Sequence, residues 1–397
     1  MKHHADVLII GGGLVGCATA FHLARAGQSV LLVEAGDVNA VASGQNAGSL
    51  HFQMERRFLE QGEALMEQAS HVISLNRQAI HDWRGLEDLL SGPLGVTMRG
   101  GLMVAETPEQ VALLERKARL EESAGMATKM IDRAEAHDIA PYLGPLVTAA
   151  LWAPDEGHAD PKKVTPAFAG AAEEAGATIL SQSPVLALEK RNRGFEAKLG
   201  GLHLDQPVTS NKIVIAAGAW IAQIAAMLNL HMPIFPLGLS MNVTERCGPL
   251  IPHLVQHVGR RLSMKQAAAG NILVGGGWPS KLAWRPDCGF DLSKRPEPKR
   301  ESVVGNLKAA IAVVPQVASL NLIRTWTGTV AVSSDQLPIV GEVPRMPGVY
   351  VAGGGSAFTL GPTFARLLAG EILSGRRTEE FQYFSPARYE HLNSFMG

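Results

Sequence analysis

The order of apolar runs, glycine turns and amphipathic stretches predicts that the chain begins with a βαβ unit. Residues 7–10 form an unbroken apolar run that ends in glycines, which is typical of a buried parallel strand. Residues 18–26 are rich in helix formers and end at Gly27, and residues 29–33 form a second buried apolar run. Together these segments predict a strand, a helix and a second strand of one parallel sheet.

Later segments continue the α/β pattern and add an antiparallel sheet. The stretch DPKKVTPAFAGAAEEAGATI predicts a helix that leads into a strand, and GVYVAGGGSAFTLGPTFARLLAGEIL predicts a strand, a glycine turn and a terminal helix. Residues 232–277 are richer in proline and β-type residues, which favours an antiparallel sheet. Residues 41–53 are predicted to be a loop, and residues 55–90 to be mostly helical.

The segment TPEQVALLERKARLEESAG predicts a separate helix in the middle of the chain. Thr107 is placed to cap its first turn. The many charges that follow predict a solvent-exposed face rather than a functional cluster.

The first glycine turn carries the spacing of a dinucleotide-binding site. Gly11, Gly13 and Gly16 occupy the GxGxxG positions between the first strand and the first helix. These glycines allow the backbone to approach a pyrophosphate, which then lies at a helix N-terminus. Glu34 ends the second strand, where its carboxylate can accept a hydrogen bond from a ribose 2′-hydroxyl. The motif alone fits either NAD or FAD.

Three further segments of glycine and small residues favour FAD over NAD. They are residues 43–50, 216–220 and 353–361, and they are widely separated along the chain. A large ligand that several distant segments contact is better matched by FAD. The last segment begins a helix with Pro362 in its first turn, and this helix N-terminus suits the negative charge of a reduced flavin.

Composition narrows the class of protein. A chain of 397 residues is too long for one ordinary core and predicts two lobes. Its net charge of −1, from 36 basic and 37 acidic residues, gives no basic field for nucleic acid or anionic lipid. The most membrane-like run, residues 213–228, is short for a span and predicts a strand, a turn and a helix.

The cysteines predict neither a metal centre nor a secreted protein. Cys17, Cys247 and Cys288 are far apart, and no CxxC occurs, so we expect no iron–sulfur or structural zinc site within the chain. Sparse cysteine fits a reducing cytoplasm. Asp6 and the glycines that follow interrupt any apolar stretch of a secretory signal.

In their order, several motifs resemble the D-amino-acid oxidase (DAO) family of FAD-dependent oxidoreductases. The motifs are IIGGGLVGC…VEAG, SGQNAGSL, WAPDEGHADPKKV, KIVIAAGAW, RTWTGTVAVSSDQLPIVG and VYVAGGGSAFTLGP. The resemblance is to the glycine and sarcosine oxidases, the hydrogen cyanide synthase subunit, and the β subunits of opine oxidases and proline dehydrogenases.

The resemblance implies an α/β fold with two domains. A discontinuous Rossmann-type FAD-binding domain would comprise residues 1–84, 151–230 and 336–397. An α+β substrate-binding domain, built on an antiparallel sheet over the flavin, would comprise residues 85–150 and 231–335.

The motif and the resemblance together predict the residues that bind FAD. They are Gly11, Gly13, Leu14, Val15, Gly16, Glu34, Ala35, Ser43, Gln45, Asn46, Ala47, Gly48, Ser49, Leu50, Val185, Ala217, Gly218, Trp220, Gly353, Gly354, Gly355, Phe358, Thr359 and Leu360. In this family residues 353–360 would face the isoalloxazine ring, and Val185 would meet the adenine through its backbone. Sarcosine oxidases tether the flavin through a cysteine where this chain has Gly328, so we expect non-covalent FAD.

The chain departs from the family at the substrate carboxylate. Glycine-oxidase-like members carry an arginine where this chain has Val330. A bidentate guanidinium suits that role, and four other arginines are candidates to replace it, each of which also fits a surface or structural role. They are Arg99, Arg260, Arg261 and Arg324.

Two residues are candidates for catalysis. His51 follows the segment near the flavin and fits either a role in substrate orientation and proton holding or a structural bond to backbone. Lys265 lies on a predicted strand of the substrate sheet, of which one face points toward the pocket. His158, Asp155, Glu156 and Asp160 lie in a segment that resembles a family turn and are predicted to be structural.

The sequence therefore predicts flavin-dependent oxidation of the C–N bond of a small amine or amino acid. The segment NAGSLH and Val330 favour the branch in which such a β subunit acts on opines or on proline-like substrates and passes electrons to a partner subunit. The alternatives are a stand-alone oxidase that makes peroxide from glycine, sarcosine or a D-amino acid, a non-catalytic flavoprotein scaffold, and, more remotely, an NAD-dependent dehydrogenase.

Overall fold

The computed structural model describes residues 3–60, 62–203, 207–287 and 289–396. Cys288 lies outside the described residues. The strands are β1 (His3–Ile10), β2 (Val30–Val33), β3 (Ser49–Leu50), β4 (Gly101–Ala105), β5 (Lys129–Asp132), β6 (Ala149–Ala153), β7 (Gly157–His158), β8 (Thr178–Leu180), β9 (Val185–Lys190), β10 (Phe195–Leu199), β11 (Pro207–Ile215), β12 (Ile234–Arg246), β13 (Leu254–His257), β14 (Ser263–Gln266), β15 (Asn271–Gly275), β16 (Leu322–Ser333), β17 (Ile339–Glu342) and β18 (Val349–Gly353). The helices are α1 (Leu14–Arg25), α2 (Ala42–Gln45), α3 (Arg56–Leu59), α4 (Glu63–Ser70), α5 (Val72–Arg84), α6 (Leu86–Leu89), α7 (Pro108–Ser123), α8 (Arg133–Ile139), α9 (Pro161–Glu174), α10 (Ile221–Ala226), α11 (Arg300–Val313), α12 (Gly361–Ser374) and α13 (Glu390–Met396).

The first sheet contains the predicted βαβ unit. Its strands follow the order β17-β18-β11-β1-β2-β8, and the pairs from β18 to β8 are parallel. Both faces are buried: Val7 and Ile9 pack with α1, α9 and α12, whereas Leu8 and Ile10 pack with α10 and with the β9–β10 hairpin. Burial of both faces explains why the sequence shows continuous apolar runs here instead of alternation.

The second sheet is antiparallel with one exception. Its order is β16-β12-β15-β14-β13-β4-β6-β5, and the expectation of an antiparallel sheet is confirmed for every pair except β13 and β4, which run parallel. These two strands come from distant parts of the chain, so no hairpin constrains their relative direction. Helix α11 and the segment around Ala140 cover one face of the sheet.

We propose that the chain divides into the two domains that the sequence predicts. The support is that the first sheet draws its strands from residues 3–33, 178–215 and 339–353, whereas the second draws them from residues 101–153 and 234–333. The proposed boundary between residues 150 and 151 falls inside β6, which belongs wholly to the second sheet. A boundary just after Ala153 fits the strand better.

The structure corrects two local expectations. Residues 41–53 are not all loop, because they include α2 and also β3, which pairs with β7. Helix α7 is capped by Thr107 as predicted, but its charges do not all face solvent. Lys117 and Glu121 are fully buried and form an ion pair of 2.8 Å.

As predicted, the apolar run at residues 213–228 folds into a strand, a turn and a helix. It forms the end of β11, a turn at residues 218–220 and α10. Among the described residues, no helix is both long and apolar enough to cross a bilayer.

Candidate active site

The first glycine turn is shaped by contacts with the neighbouring strand. Gly11 has φ +116°, and a Cβ added there would lie 2.6 Å from the Ala216 carbonyl oxygen. A Cβ at Gly16 would overlap the Gly11 carbonyl oxygen. Glycine is therefore required at these two positions for the turn to pack against β11 and α1, independently of any ligand.

The turn delivers the N-terminus of α1 to a large cavity. Gly13 is the N-cap residue of α1. Its backbone is extended, and as a glycine it has no side chain that could cap the helix. The Leu14 backbone N–H donates to Ser43 Oγ at 3.0 Å, which fixes residues 43–50 beside the helix end. The unpaired N–H groups and the helix dipole make this end suitable for an anion such as a pyrophosphate.

Glu34 lies at the edge of the cavity and holds two backbone amides. Its Oε2 accepts from the Gly12 N–H at 2.6 Å, and its Oε1 accepts from the Gly36 N–H at 2.8 Å. Gly12 and Gly36 line the cavity and were not among the predicted residues. Gly12 lies between two glycines of the GxGxxG motif and Gly36 follows the acidic end of β2, so both could have been inferred from the sequence.

A cavity of about 1310 Å³ runs from this turn to the second sheet. Most of the predicted cofactor residues line it, including Val185, Ala217, Trp220 and the segment that contains Gly353 and Phe358. Five predicted residues are not part of its lining: Gly16, Gln45, Gly48, Leu50 and Leu360. The volume exceeds that of a typical small-ligand pocket, so it has room for a dinucleotide and a second ligand.

Residues 353–360 are clamped to α3 across the cavity. Arg57 donates to the Gln336 carbonyl and to Ser356 Oγ, each at 3.0 Å, and Ser356 Oγ donates to Glu55 at 2.5 Å. Burial raises the pKa of Glu55, but the charge of Arg57, the neighbouring imidazole of His51 and these hydrogen bonds lower it overall to about 2. The Glu55 carboxylate is therefore ionised, and with Arg57 it forms a charge-neutral clamp.

The Trp-x-Gly motif at residues 326–328 is bonded to the segment of residues 43–50. Trp326 Nε1 donates to the Gln45 carbonyl at 2.7 Å. A Cβ at Gly328 would lie 3.2 Å from Gln45 Oε1. The structure thus brings together two motifs that are 281 residues apart in sequence.

His51 lines the cavity on the side of the second sheet. Its Nε2 lies 3.2 Å from Ser263 Oγ, and its Nδ1 is buried and has no hydrogen-bond partner among the described residues. Burial lowers the pKa of His51, Glu55 opposes this, and the positive charges of Lys265 and Arg57 lower it further. The imidazole is therefore neutral at pH 7.

Lys265 lies behind the cavity wall and is not part of it. Its side chain is buried, and burial lowers its pKa to about 7, with a partly opposing effect from Asp160. The same positive charge helps burial to lower the pKa of His158 to about 3. Lys265 can therefore act on a ligand only through His51 or through the local field.

The arginine candidates separate clearly by position. All three of Arg99, Arg261 and Arg324 are exposed, but only Arg261 lines the cavity. Arg260 is bound to Glu106 by two hydrogen bonds of 3.0 and 2.6 Å. Arg56 also lines the cavity and was missed, because its predicted position within a helix gave no indication of which way it faces.

A buried polar cluster behind the cavity was also missed. Glu156 accepts from the Phe52 and Gln53 backbone N–H groups and from the side chains of Gln53 and Gln256. Burial raises the pKa of Glu156 to about 7, although the bonds from Gln53 oppose this. Because Gln256 lines the cavity and His51 precedes Phe52, Glu156 holds two parts of the cavity wall in place.

The other acidic residues of this segment have structural partners. Asp160 caps α9, and Asp155 pairs with Arg84. Within the described ranges, no group of three or more His, Cys, Asp or Glu side chains is arranged to hold a metal ion. Of the described cysteines, neither Cys17 nor Cys247 lines the cavity.

Comparison with known proteins identifies the class to which this arrangement belongs. Residues 6–371 match the family described as DAO, FAD dependent oxidoreductase. The chain belongs to the DAO family of FAD-dependent oxidoreductases. FAD fits the residues present, because the glycine turn, the open N-terminus of α1 and the long cavity provide the contacts that a dinucleotide requires.

Relatives span the chain at low identity. The chain is similar to a subunit of the opine oxidase of Agrobacterium tumefaciens (strain Ach5), with 27% identity over 401 residues and 98% of each chain covered. It is similar to glycine oxidase of Geobacillus kaustophilus, with 24% identity over 356 residues that cover 89% of this chain and 88% of the other. The crystal structure of L-proline dehydrogenase from P. horikoshii shares the fold, with a TM-score of 0.84, 24% identity and coverage of 98% of this chain and 99% of that one.

Proposed function

We propose that this DAO-family enzyme oxidises the C–N bond of a small secondary amino acid of opine or proline type. The observation that carries the proposal is one continuous cavity lined by residues of both sheets. The glycine turn and residues 353–359 form one part of it, and Ser263, Arg261 and Val330 form another. A cofactor in the first part is thus placed against a substrate in the second.

Several residues would hold the cofactor. The α1 N-terminus would bind its pyrophosphate, Glu34 its ribose, and the clamped segment 353–360 its ring. When bound, FAD would supply the electron acceptor for the C–N oxidation, by hydride transfer to flavin N5 from the carbon beside the substrate nitrogen. We expect non-covalent binding, since Gly328 stands where a tethering cysteine would be needed.

The chain's own residues would place the substrate and manage its proton. His51 is neutral and lines the cavity, so its ring, with the Ser263 hydroxyl 3.2 Å from its Nε2, would help to orient the substrate amine. Lys265 would set the field behind His51 without touching the substrate. A strong catalytic base is not required if the amine binds in its neutral form.

We further propose that the chain works as the β subunit of a heteromeric enzyme. The support is its similarity, over nearly its full length, to a protein that is named as one subunit of an opine oxidase. Electrons would then pass to a partner subunit rather than to oxygen. Sparse cysteine use leads us to expect the cytoplasm as its compartment.

Steady-state turnover of the purified, FAD-loaded chain tests this proposal. We expect secondary amino acids to reduce an artificial dye acceptor, with much slower oxygen consumption by the same sample. Oxygen consumption as fast as dye reduction would instead identify a stand-alone, peroxide-producing oxidase. Bound FAD that no amine or amino acid reduces would favour a scaffold subunit and contradict the proposal.

A further inference from the structure

We propose that Arg261, assisted by Arg56, binds the substrate carboxylate in place of the family arginine that is absent at Val330. This inference rests on the proposed function, since it assumes that the second part of the cavity holds the substrate. It goes further by naming the residues that would recognise the carboxylate of that substrate.

The charged groups that line this part of the cavity leave one positive charge without a partner. Glu55 and Arg57 neutralise each other within their clamp. Arg56 forms an ion pair with Glu60, one helical turn away. Arg261 has no ion-pair partner among the described residues, and His51 is neutral. The net charge of +1 fits one carboxylate.

Arg56 and Arg261 line the same cavity and interact electrostatically. Burial lowers the pKa of Arg56, its partner Glu60 opposes this, and the positive charge of Arg261 lowers it further. Two cations that repel each other in this way are stabilised together by an anion placed between them. Such a pair can hold a carboxylate by bidentate, charge-assisted hydrogen bonds.

Along the chain, both arginines lie close to residues that contact the proposed substrate and cofactor sites. Arg261 lies two residues before Ser263, and the Ser263 hydroxyl contacts the imidazole of His51. The Arg261 carbonyl accepts from Trp278 Nε1 at 2.6 Å, which fixes the backbone at this point. Arg56 follows Glu55, whose carboxylate reaches Ser356 of the flavin-facing segment.

The lining of this cavity also has an apolar part. Leu237, Leu262 and Val330 line it, and Val330 lies opposite Leu237 in the β12–β16 ladder. Loss of the family arginine thus leaves an apolar surface that a charged group would avoid. A substrate with a carboxylate at one end and an aliphatic or cyclic body matches a cavity lined by a cationic pair and an apolar part.

Binding of cyclopentanecarboxylate to the FAD-loaded protein tests the assignment. This anion has the shape of proline but lacks the nitrogen that would be oxidised, so calorimetry and the perturbation of the flavin spectrum both report binding alone. The neutral cyclopentanecarboxamide is the matched ligand. We expect the Arg261→Gln variant to raise the Kd of the carboxylate by about 10- to 100-fold, the range for one lost charged hydrogen bond. We expect Arg56→Gln to raise it less, and both to leave the Kd of the amide unchanged.

Three further variants separate loss of carboxylate binding from general damage to the protein. Arg261→Lys keeps the charge and is expected to restore part of the affinity. Arg99→Gln and Arg324→Gln remove exposed arginines outside the cavity and are expected to change nothing. With an oxidised substrate, Arg261→Gln should raise KM more than it lowers kcat.

The outcomes distinguish this inference from the proposed function. An unchanged carboxylate Kd in both Arg261→Gln and Arg56→Gln would overturn the inference, whatever the protein oxidises. Carboxylate binding that depends on Arg261 would support it even if no amine reduced the flavin, a result that would contradict the proposed function alone.

Discussion

Gly11 shows how a single backbone position controls the first glycine turn. Its positive φ is unfavourable for other residues, and the space for a side chain is taken by the Ala216 carbonyl. The sequence predicted glycine here from the needs of a ligand. The structure adds a reason that could not be predicted, since residue 216 is brought to Gly11 only by the pairing of β1 with β11.

The Gly11→Ala variant is expected to lose FAD and stability together. A strained backbone of this kind costs about 1–3 kcal/mol, and the turn must shift away from β11 to admit the methyl group. FAD content from absorbance and urea unfolding would measure the two effects. Gly170→Ala on α9 is the control, because no atom lies within 4 Å of its added Cβ. The two variants behaving alike would contradict this account.

Lys265 is expected to make stability depend on pH. Its pKa falls from 10.5 in the unfolded chain to about 7 in the folded protein. Between these values the unfolded chain binds a proton that the folded protein does not, so folding stability rises with pH. Wild type should therefore gain free energy of unfolding relative to Lys265→Met as pH rises from about 7.5 to about 9.5, a window inside that pKa interval. Urea unfolding at both pH values checks this, with the exposed Lys162→Met as control. A difference that stays constant with pH would show that Lys265 is not buried as described.

Helix α7 illustrates what the pattern of an element does and does not reveal. Its cap and length were predicted from Thr107 and the residues that follow. The burial of Lys117 was not, because its partners Gln53 and Glu121 form a cluster with Glu156 of a distant turn. Charged residues on a helix usually indicate an exposed face. They can be buried, however, where another part of the chain provides polar or charged partners for them.

The Lys117→Met variant is expected to destabilise the protein strongly. It leaves Glu121 buried without its cation, a change that typically costs roughly 3–5 kcal/mol. The double variant Lys117→Met with Glu121→Leu should lose less, because both charges are removed. Arg119→Ala, at an exposed position of the same helix, should change the free energy of unfolding by less than about 0.5 kcal/mol. Urea unfolding of the three proteins would measure this; equal losses in Lys117→Met and Arg119→Ala would refute the role of the cluster.

For the whole molecule, the sequence predicted which segments surround the cofactor better than it predicted the substrate side. The glycine turns follow recognisable strands and precede helices, so local pattern was sufficient for them. The substrate side depends on contacts such as Trp326 with Gln45 and Arg57 with Gln336, which join distant segments. A local sequence pattern does not show which of several arginines lines the cavity, and Arg56 was missed for that reason.

We propose that this protein, with FAD bound in its cavity, oxidises a secondary amino acid. The most direct test is the visible spectrum of the purified, FAD-supplemented protein without oxygen, before and after addition of secondary amino acids, D-amino acids and plain amines in turn. We predict a yellow flavin band that is bleached by opine- or proline-type amino acids and not by plain amines. A protein without a flavin band after FAD is added, or a band that none of these compounds bleaches, would contradict the claim.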